Sequence, residues 1–300
     1  MPLKIIFLNL IFFEVMKRFQ FLIFFILPLS FFSFAQDSRP PVCPENPEWK
    51  LNHDFSDEFN GLSLDKGKWW DFNPTMHGRK PAYFSRDNVK VNGGLLELWA
   101  KALTPEEVSE ENRVRGYDKF TTSIIKSKKR VKYGYFETRC KGMKAGPSNA
   151  FWLYDPLDAP EKYREGSFSE EIDIFEFFGK PSKKQEERKY YMTLHRQKTP
   201  YVETLVRSAF PLENKSAVIT VPFNFYDDFH VYGFLWTPEE LTWYLDGKEV
   251  FTRKNDYFHT ALHVMFDTEI MEGWAGLPDP ADLPAAFYVD YCRIWQPADF

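Results

Sequence analysis

Residues 171–176 read Glu-Ile-Asp-Ile-Phe-Glu, three carboxylates threaded through a segment that is otherwise apolar. Acidic side chains are seldom carried by a core-forming strand without a chemical reason, because an unpaired buried charge is costly. Strand side chains alternate between faces, so Glu171 and Asp173 share one face while Glu176, three positions on, points to the other. A β-bulge with Phe175 or its neighbour as the extra residue returns Glu176 to the face of Glu171 and Asp173. The segment therefore predicts a bent strand with a row of carboxylates on one surface.

Carboxyl groups at such close range suit glycosidic bond cleavage. A retaining glycosidase uses one carboxylate as nucleophile and one carboxylic acid as proton donor, roughly 5 Å apart, and long glutamates on a bent strand can converge to that separation. Crowding several acids raises at least one pKa, which keeps a donor protonated near neutrality. Taken alone, the pattern also fits an acidic sheet face or a calcium site.

The rest of the chain predicts an all-β sandwich. Short aromatic and β-branched runs, such as Leu95–Trp99, Thr122–Ser127, Val131–Arg139 and Leu241–Leu245, are broken by Gly, Asn, Asp and Pro about every ten residues. Gly93-Gly94 and Asp246-Gly247 are hairpin turn signals. Helical periodicity is confined to a short acidic stretch, Thr104 to Glu111, with Thr104 as cap and Pro105 at the first helical position. Aromatic residues make up 18% of the chain, more than a core alone needs. Sugar rings present flat C–H faces that stack on such side chains, so Trp152, Trp69, Trp70 and Trp274 are candidate groove residues.

At the N-terminus, Lys17 and Arg18 precede an apolar run that ends in Ser33-Phe34-Ala35, the layout of a secretory signal over residues 1–36 with Met16 as an alternative start. Residues 37–48 are a Pro-rich lead-in, and 49–298 form one catalytic-sized domain. Removing residues 1–36 takes away Lys4, Lys17, Arg18 and Glu14, leaving 35 basic against 42 acidic residues. That balance argues against nucleic acid but leaves room for local basic clusters. Cys43, Cys140 and Cys292 lack the spacing of metal ligands or nucleophiles. Cys140 and Cys292 are open to either a bond or two buried thiols.

The chain resembles glycoside hydrolase family 16, whose signature is matched by Glu171, Asp173 and Glu176 in the bulged spacing of agarases, porphyranases and κ-carrageenases. The resemblance runs from about Leu51 to Trp295 and includes Ser56–Gly61, Tyr133–Glu137, Asn149–Leu153, Asp228–Gly233, Trp243–Gly247 and Phe287–Trp295. It implies a jelly roll of two bent antiparallel sheets with an open groove. It further implies Glu171 as nucleophile, Glu176 as acid/base, and Asp173 as the group that helps set the protonation of Glu171 through coupled titration.

Several binding candidates stand beside these, some from the same resemblance and the arginines from their chemistry. Trp152 precedes the acids on the neighbouring strand, and His195 matches a histidine that contacts sugar in agarases. Arg79, in the basic cluster His77–Pro81, and Arg164, in an insertion spanning Asp155 to Ser169, are plausible contacts for an anionic galactan. Glu269 stands where carrageenases tend to place an arginine for sulfate, so a bare acid there would repel sulfate. Glu58, Gly94 and Asp290 lie where the family often holds a structural calcium ion; no cofactor is implied for catalysis. The implied protein is a secreted, monomeric endo-hydrolase of β-1,4 bonds in porphyran or agarose, without stable membrane association. A κ-carrageenan or furcellaran hydrolase is the alternative, and a non-catalytic lectin on the same sandwich is a more distant one, disfavoured because all three acids are intact.

Overall fold

A computed structural model describes residues 49–154, 168–198 and 216–297. The signal segment, the lead-in, Cys43 and most of the Asp155–Ser169 insertion with Arg164 lie outside the described residues. In chain order the strands are β1 (Trp49–Leu51), β2 (Trp69–Trp70), β3 (Ala82–Phe84), β4 (Val89–Asn92), β5 (Leu95–Ala102), β6 (Phe120–Val131), β7 (Gly134–Lys141) and β8 (Ser148–Tyr154). They continue with β9 (Phe168–Phe178), β10 (Lys189–Lys198), β11 (Ser216–Thr220), β12 (His230–Trp236), β13 (Glu240–Leu245), β14 (Lys248–Lys254), β15 (Leu262–Thr268) and β16 (Ala285–Pro297).

One layer runs β11-β10-β9-β8-β15-β6, with β2 beside β6. The other runs β5-β16-β7-β12-β13-β14, with β4 beside β5 and β1 beside β16. The layers join where β5 pairs with the start of β6, at Lys101 opposite Thr121 and Ala102 opposite Phe120. Each strand alternates between a core face and an outer face: in β15, Leu262, Val264 and Phe266 belong to the core, while His263, Met265 and Asp267 take the other side.

Aromatic rings from both layers meet in that core. Phe175 lies 4.5 Å from Tyr232 and 6.2 Å from Phe287, while Phe151 stacks on Phe266 at 4.3 Å. Truncating one such ring to alanine costs about 3–5 kcal/mol. Cys140 and Cys292 are two buried, free thiols of this core.

The expected hairpin turns form at Gly93-Gly94 and Asp246-Gly247, with positive φ at all four residues. Two local expectations are corrected. The helix (α1) spans Glu110–Arg115, not 104–111: Ser109 accepts a hydrogen bond from the Asn112 amide, and Gly116 closes the helix in the left-handed region. Thr104 instead enters a turn in which its amide donates to Glu107. The run Val131–Arg139 is not one strand, because the chain reverses between β6 and β7 around Tyr133 and Gly134, both at positive φ. A Cβ at Gly134 would sit 2.6 Å from the Trp295 carbonyl, so the close approach to β16 requires glycine.

Candidate active site

Strand β9 carries the bulge that its sequence called for. Against β8, Phe151 faces Phe175 and the next residue, Trp152, faces Asp173, so Ile174 is the extra residue. The shift recurs against β10, where Tyr191 faces Glu176 and Thr193 faces Asp173. Ile174 and Phe175 both enter the core, and Glu171, Asp173 and Glu176 fall together on the outer face of this layer. Two core residues in succession are the local cost of putting three acids on one side.

Rows of facing residues cross the layer. One runs His195, Glu171, Tyr154, His263. The next runs Thr193, Asp173, Trp152, Met265, Lys126, Trp70. The third runs Tyr191, Glu176, Ala150, Asp267. Trp152 stacks against Tyr154 at 5.7 Å and donates from Nε1 to Asp267 Oδ2 at 3.0 Å. Together these residues form one outer face with an acidic centre and the Trp152 and Tyr154 rings beside it, the face expected to floor the groove.

His195 Nε2 is 3.3 Å from Asp173 Oδ2 and 3.7 Å from Glu171 Oε1. The Asp173 oxygen, on a side chain 4% exposed, is near the ring but lacks hydrogen-bond geometry to it. Among the described residues, these three form the single group of His, Cys, Asp or Glu side chains close enough to share a metal ion.

The electrostatics raise both glutamates. Burial pushes Glu171 up to about 8, reinforced by Asp173, while His195 and Arg79 pull it back. Burial raises Glu176 well above the ordinary range, and Asp173, Asp267, Glu171 and Glu269 all add to the rise. Asp267 is likewise raised by burial and by Glu269, against the Trp152 hydrogen bond. Both glutamates are thus raised by burial and by neighbouring acids, so the pair keeps a proton toward neutrality, as a donor beside a nucleophile requires.

Arg79 reaches Glu269 from Nε and from its terminal nitrogen, each at 3.0 Å. Burial would lower the guanidinium, but Glu269, Asp267 and Glu176 outweigh it and hold it above its ordinary value. Gly78, at φ 137°, lets the loop carrying Arg79 lie on β3: a Cβ there would meet Tyr83 Cα at 2.7 Å. Glu269 is thus a buried partner of Arg79, and the bare acid expected to repel sulfate is a neutralised pair whose exposed half is the arginine.

The other predicted residues divide clearly. Trp70 lies on the groove face at the β2 edge, 6.0 Å from His263. Trp69, one residue earlier, points the opposite way, is 1% exposed and packs on Phe59, so strand alternation removes it from the groove. Trp274, on the short helix α2 (Glu272–Ala275), meets Tyr191 edge-on at 4.6 Å and donates to Glu186 at 3.0 Å, beside the row that holds Glu176.

Glu58 and Asp290, expected with Gly94 to hold a structural calcium ion, are each paired with an arginine. Arg293 takes Glu58 through two 2.8 Å hydrogen bonds and Arg139 takes Asp290 at 2.7 Å, so a cation would have to displace two guanidinium groups. Asp267 and Tyr191 are groove residues that sequence reasoning passed over. The signal for Asp267 was present: an acid two positions from Met265, on the same face of an apolar strand.

The sequence model of a domain described as "Beta-porphyranase A-D, GH16 domain" matches residues 49–297. The chain is 28% identical to a κ-carrageenase of Pseudoalteromonas carrageenovora, over 90% of this chain and 70% of that protein. It is also 28% identical to β-porphyranase B of Zobellia galactanivorans, over 76% of this chain and 78% of the relative. The crystal structure of the P. carrageenovora κ-carrageenase with an oligotetrasaccharide of κ-carrageenan superimposes with a TM-score of 0.67 at 26% identity, covering 86% of this chain and 98% of that one.

Proposed function

The chain belongs to glycoside hydrolase family 16, and from that premise we propose that it is a retaining endo-hydrolase of a red-algal galactan, cutting β-1,4 galactosidic bonds of porphyran or agarose. The observation that carries this reading is the β9 bulge, which sets Glu171, Asp173 and Glu176 on one face of the layer, where burial and mutual repulsion raise both glutamates.

In this mechanism Glu171 is the nucleophile: His195 and Arg79 favour its ionised form, and it attacks the anomeric carbon to form a glycosyl-enzyme. Glu176, surrounded by other acids, is the acid/base that protonates the leaving oxygen and then takes a proton from water. Asp173 repels charge on both glutamates and so couples their titration, ionisation of one favouring the proton on the other. Trp152 and Tyr154 supply the platform for a sugar ring beside the acids. Arg79, oriented by Glu269, is an exposed guanidinium available to an anionic substituent. Export through the N-terminal signal segment is part of the same reading, since a galactan of this size is met outside the cell.

The porphyranase domain model spans 49–297 and supports the porphyran or agarose reading. A κ-carrageenan hydrolase is the second reading, supported by the carrageenase relative that spans 90% of the chain. Digesting porphyran, agarose and κ-carrageenan separately and identifying the oligosaccharides by mass spectrometry separates them. Faster release from porphyran or agarose is expected; release from κ-carrageenan alone would replace the first reading with the second.

A further inference from the structure

The chain carries a net negative charge, yet β6 ends in Lys126-Ser127-Lys128-Lys129-Arg130-Val131, with Lys132 next. This run lies on the layer that bears the acids, and it breaks the ladder there. Met265 of β15 faces Lys126, but His263, two residues away, faces Arg130, so β6 uses four residues where β15 uses two. Ser127 fills the gap: its hydroxyl accepts from the Val264 amide at 2.8 Å and donates to the Lys129 carbonyl at 2.7 Å. The bulge turns Lys128 and Lys129 out to solvent.

The bulge opens onto a cavity of about 690 Å³ lined by Trp70, Lys128, Lys129, Arg130, His263 and Asp54. The His263 ring fixes its geometry. Nδ1 lies 2.8 Å from the Ser127 carbonyl and so carries the proton, leaving Nε2 to accept from Arg130 Nε at 3.0 Å. A buried histidine thus orients the guanidinium, and Lys126 sits 5.8 Å over the Trp70 ring. Asp54 opposes this positive charge through its 2.6 Å contact with Lys129.

The place of the cavity matters. His263 continues the row that starts at His195 and Glu171, and Arg130 stands three strands from Glu171, about 14 Å at ordinary strand spacing. A polysaccharide lying across the strands over the acids would extend onto the aromatic ring of Trp70 and the basic bulge.

We propose that the bulge at Lys128, Lys129 and Arg130, with Trp70 and His263, is a distal subsite for a sulfate ester carried by the same galactan chain whose scissile bond lies over Glu171 and Glu176. It rests on the reading of the acids as a galactan hydrolase. Sulfate offers several acceptor oxygens to the guanidinium and the two ammonium groups, and Trp70 supplies a face for the sugar ring that bears it. A positive end on a groove with an acidic centre also sets the direction in which an anionic chain is threaded.

The test uses the full chain with Lys128→Glu and Lys129→Glu together, and separately with Arg130→Gln. The readout is the ratio of kcat/KM on long porphyran oligosaccharides to that on agarose oligosaccharides of equal length. The ratio is expected to fall about tenfold in the double variant, through KM, and to fall less as added salt screens the charges. In the parent, inorganic sulfate should lower the ratio more than chloride does at matched ionic strength, by competing for the same cations, and this difference should vanish in the double variant. A ratio unchanged in both variants overturns the subsite. Failure of the parent to cut any galactan overturns the reading of the acids and the subsite with it.

Discussion

Two clusters of buried carboxylate sit on opposite layers of the molecule, and they are built in opposite ways. On the β7–β16 layer, Glu137 is 8% exposed, and its two oxygens accept from Tyr291 at 2.9 Å and from Tyr135 at 3.3 Å, with Arg293 near by. On the β9 layer, Asp173 and Glu269 each keep a buried oxygen without a hydrogen-bond partner, and Glu176 faces four other acids. The first cluster contains the donors needed to hold a charge at rest. Burial raises the acids of both clusters, but around Glu137 the two tyrosines and Arg293 pull against that rise, whereas around Glu176 the neighbouring acids add to it. A buried acid by itself therefore says little about function; the supply of donors around it says more.

The largest expected effect breaks the groove cluster chemically without unfolding it. Glu171→Gln should lower kcat more than about 10³-fold, and Glu176→Gln by about 10²–10⁴-fold, with the latter partly rescued on substrates bearing good leaving groups. Because each change removes a buried acid that repels its neighbours when ionised, Tm should hold or rise in both variants. Coincident loss of activity and Tm would mean that the acids serve the fold.

The matching change on the other layer should do the reverse. Glu137→Ala leaves the hydroxyls of Tyr135 and Tyr291 buried without their acceptor and should cost about 2–3 kcal/mol in chemical denaturation, with kcat retained below the melting range. A drop in kcat at full folding would erase the contrast between the clusters.

Stability against pH sharpens the comparison. Glu171 has an ordinary value of 4.5 and a folded value of about 8, so between these pH values the folded chain holds more protons than the unfolded one. Stability should be fully supported below about 4.5 and decline as pH rises toward 8. Glu171→Gln should flatten that decline, as a series of denaturant melts would reveal.

The smallest effects belong to the exposed outer pairs. Asp290→Asn, which loosens the half-exposed Arg139 pair, should cost at most about 1 kcal/mol. Added calcium or a chelator should leave Tm where it is, because Arg293 and Arg139 already occupy Glu58 and Asp290.

Much of this architecture was legible in the sequence. The period-two alternation and the glycine turns gave the sandwich, and the spacing of Glu171, Asp173 and Glu176 demanded the bulge that is found between Asp173 and Glu176. What escaped was whatever depends on pairing between distant strands. Trp69 and Trp70 are indistinguishable by type, and only the register of β2 on β6 sends one to the core and the other to the groove. Glu269 read as a bare acid because its partner Arg79 lies 190 residues away in the chain. The helix start slipped because Thr104-Pro105 and Ser109 both carry cap signals, and the alternatives differ by local hydrogen bonds of about 1 kcal/mol. The two-residue bulge in β6 left no mark on hydrophobic pattern, since the residues it displaces are charged either way.

Trapping the covalent intermediate tests the central claim most directly. A 2-fluoro galactosyl substrate with an activated leaving group should slow release of the glycosyl-enzyme, and peptide mass spectrometry should find the sugar on Glu171. A label on Glu176 would reverse the roles assigned from the two environments. Rapid turnover without any adduct, giving product of inverted anomeric configuration, would contradict a nucleophile and a donor paired across one groove.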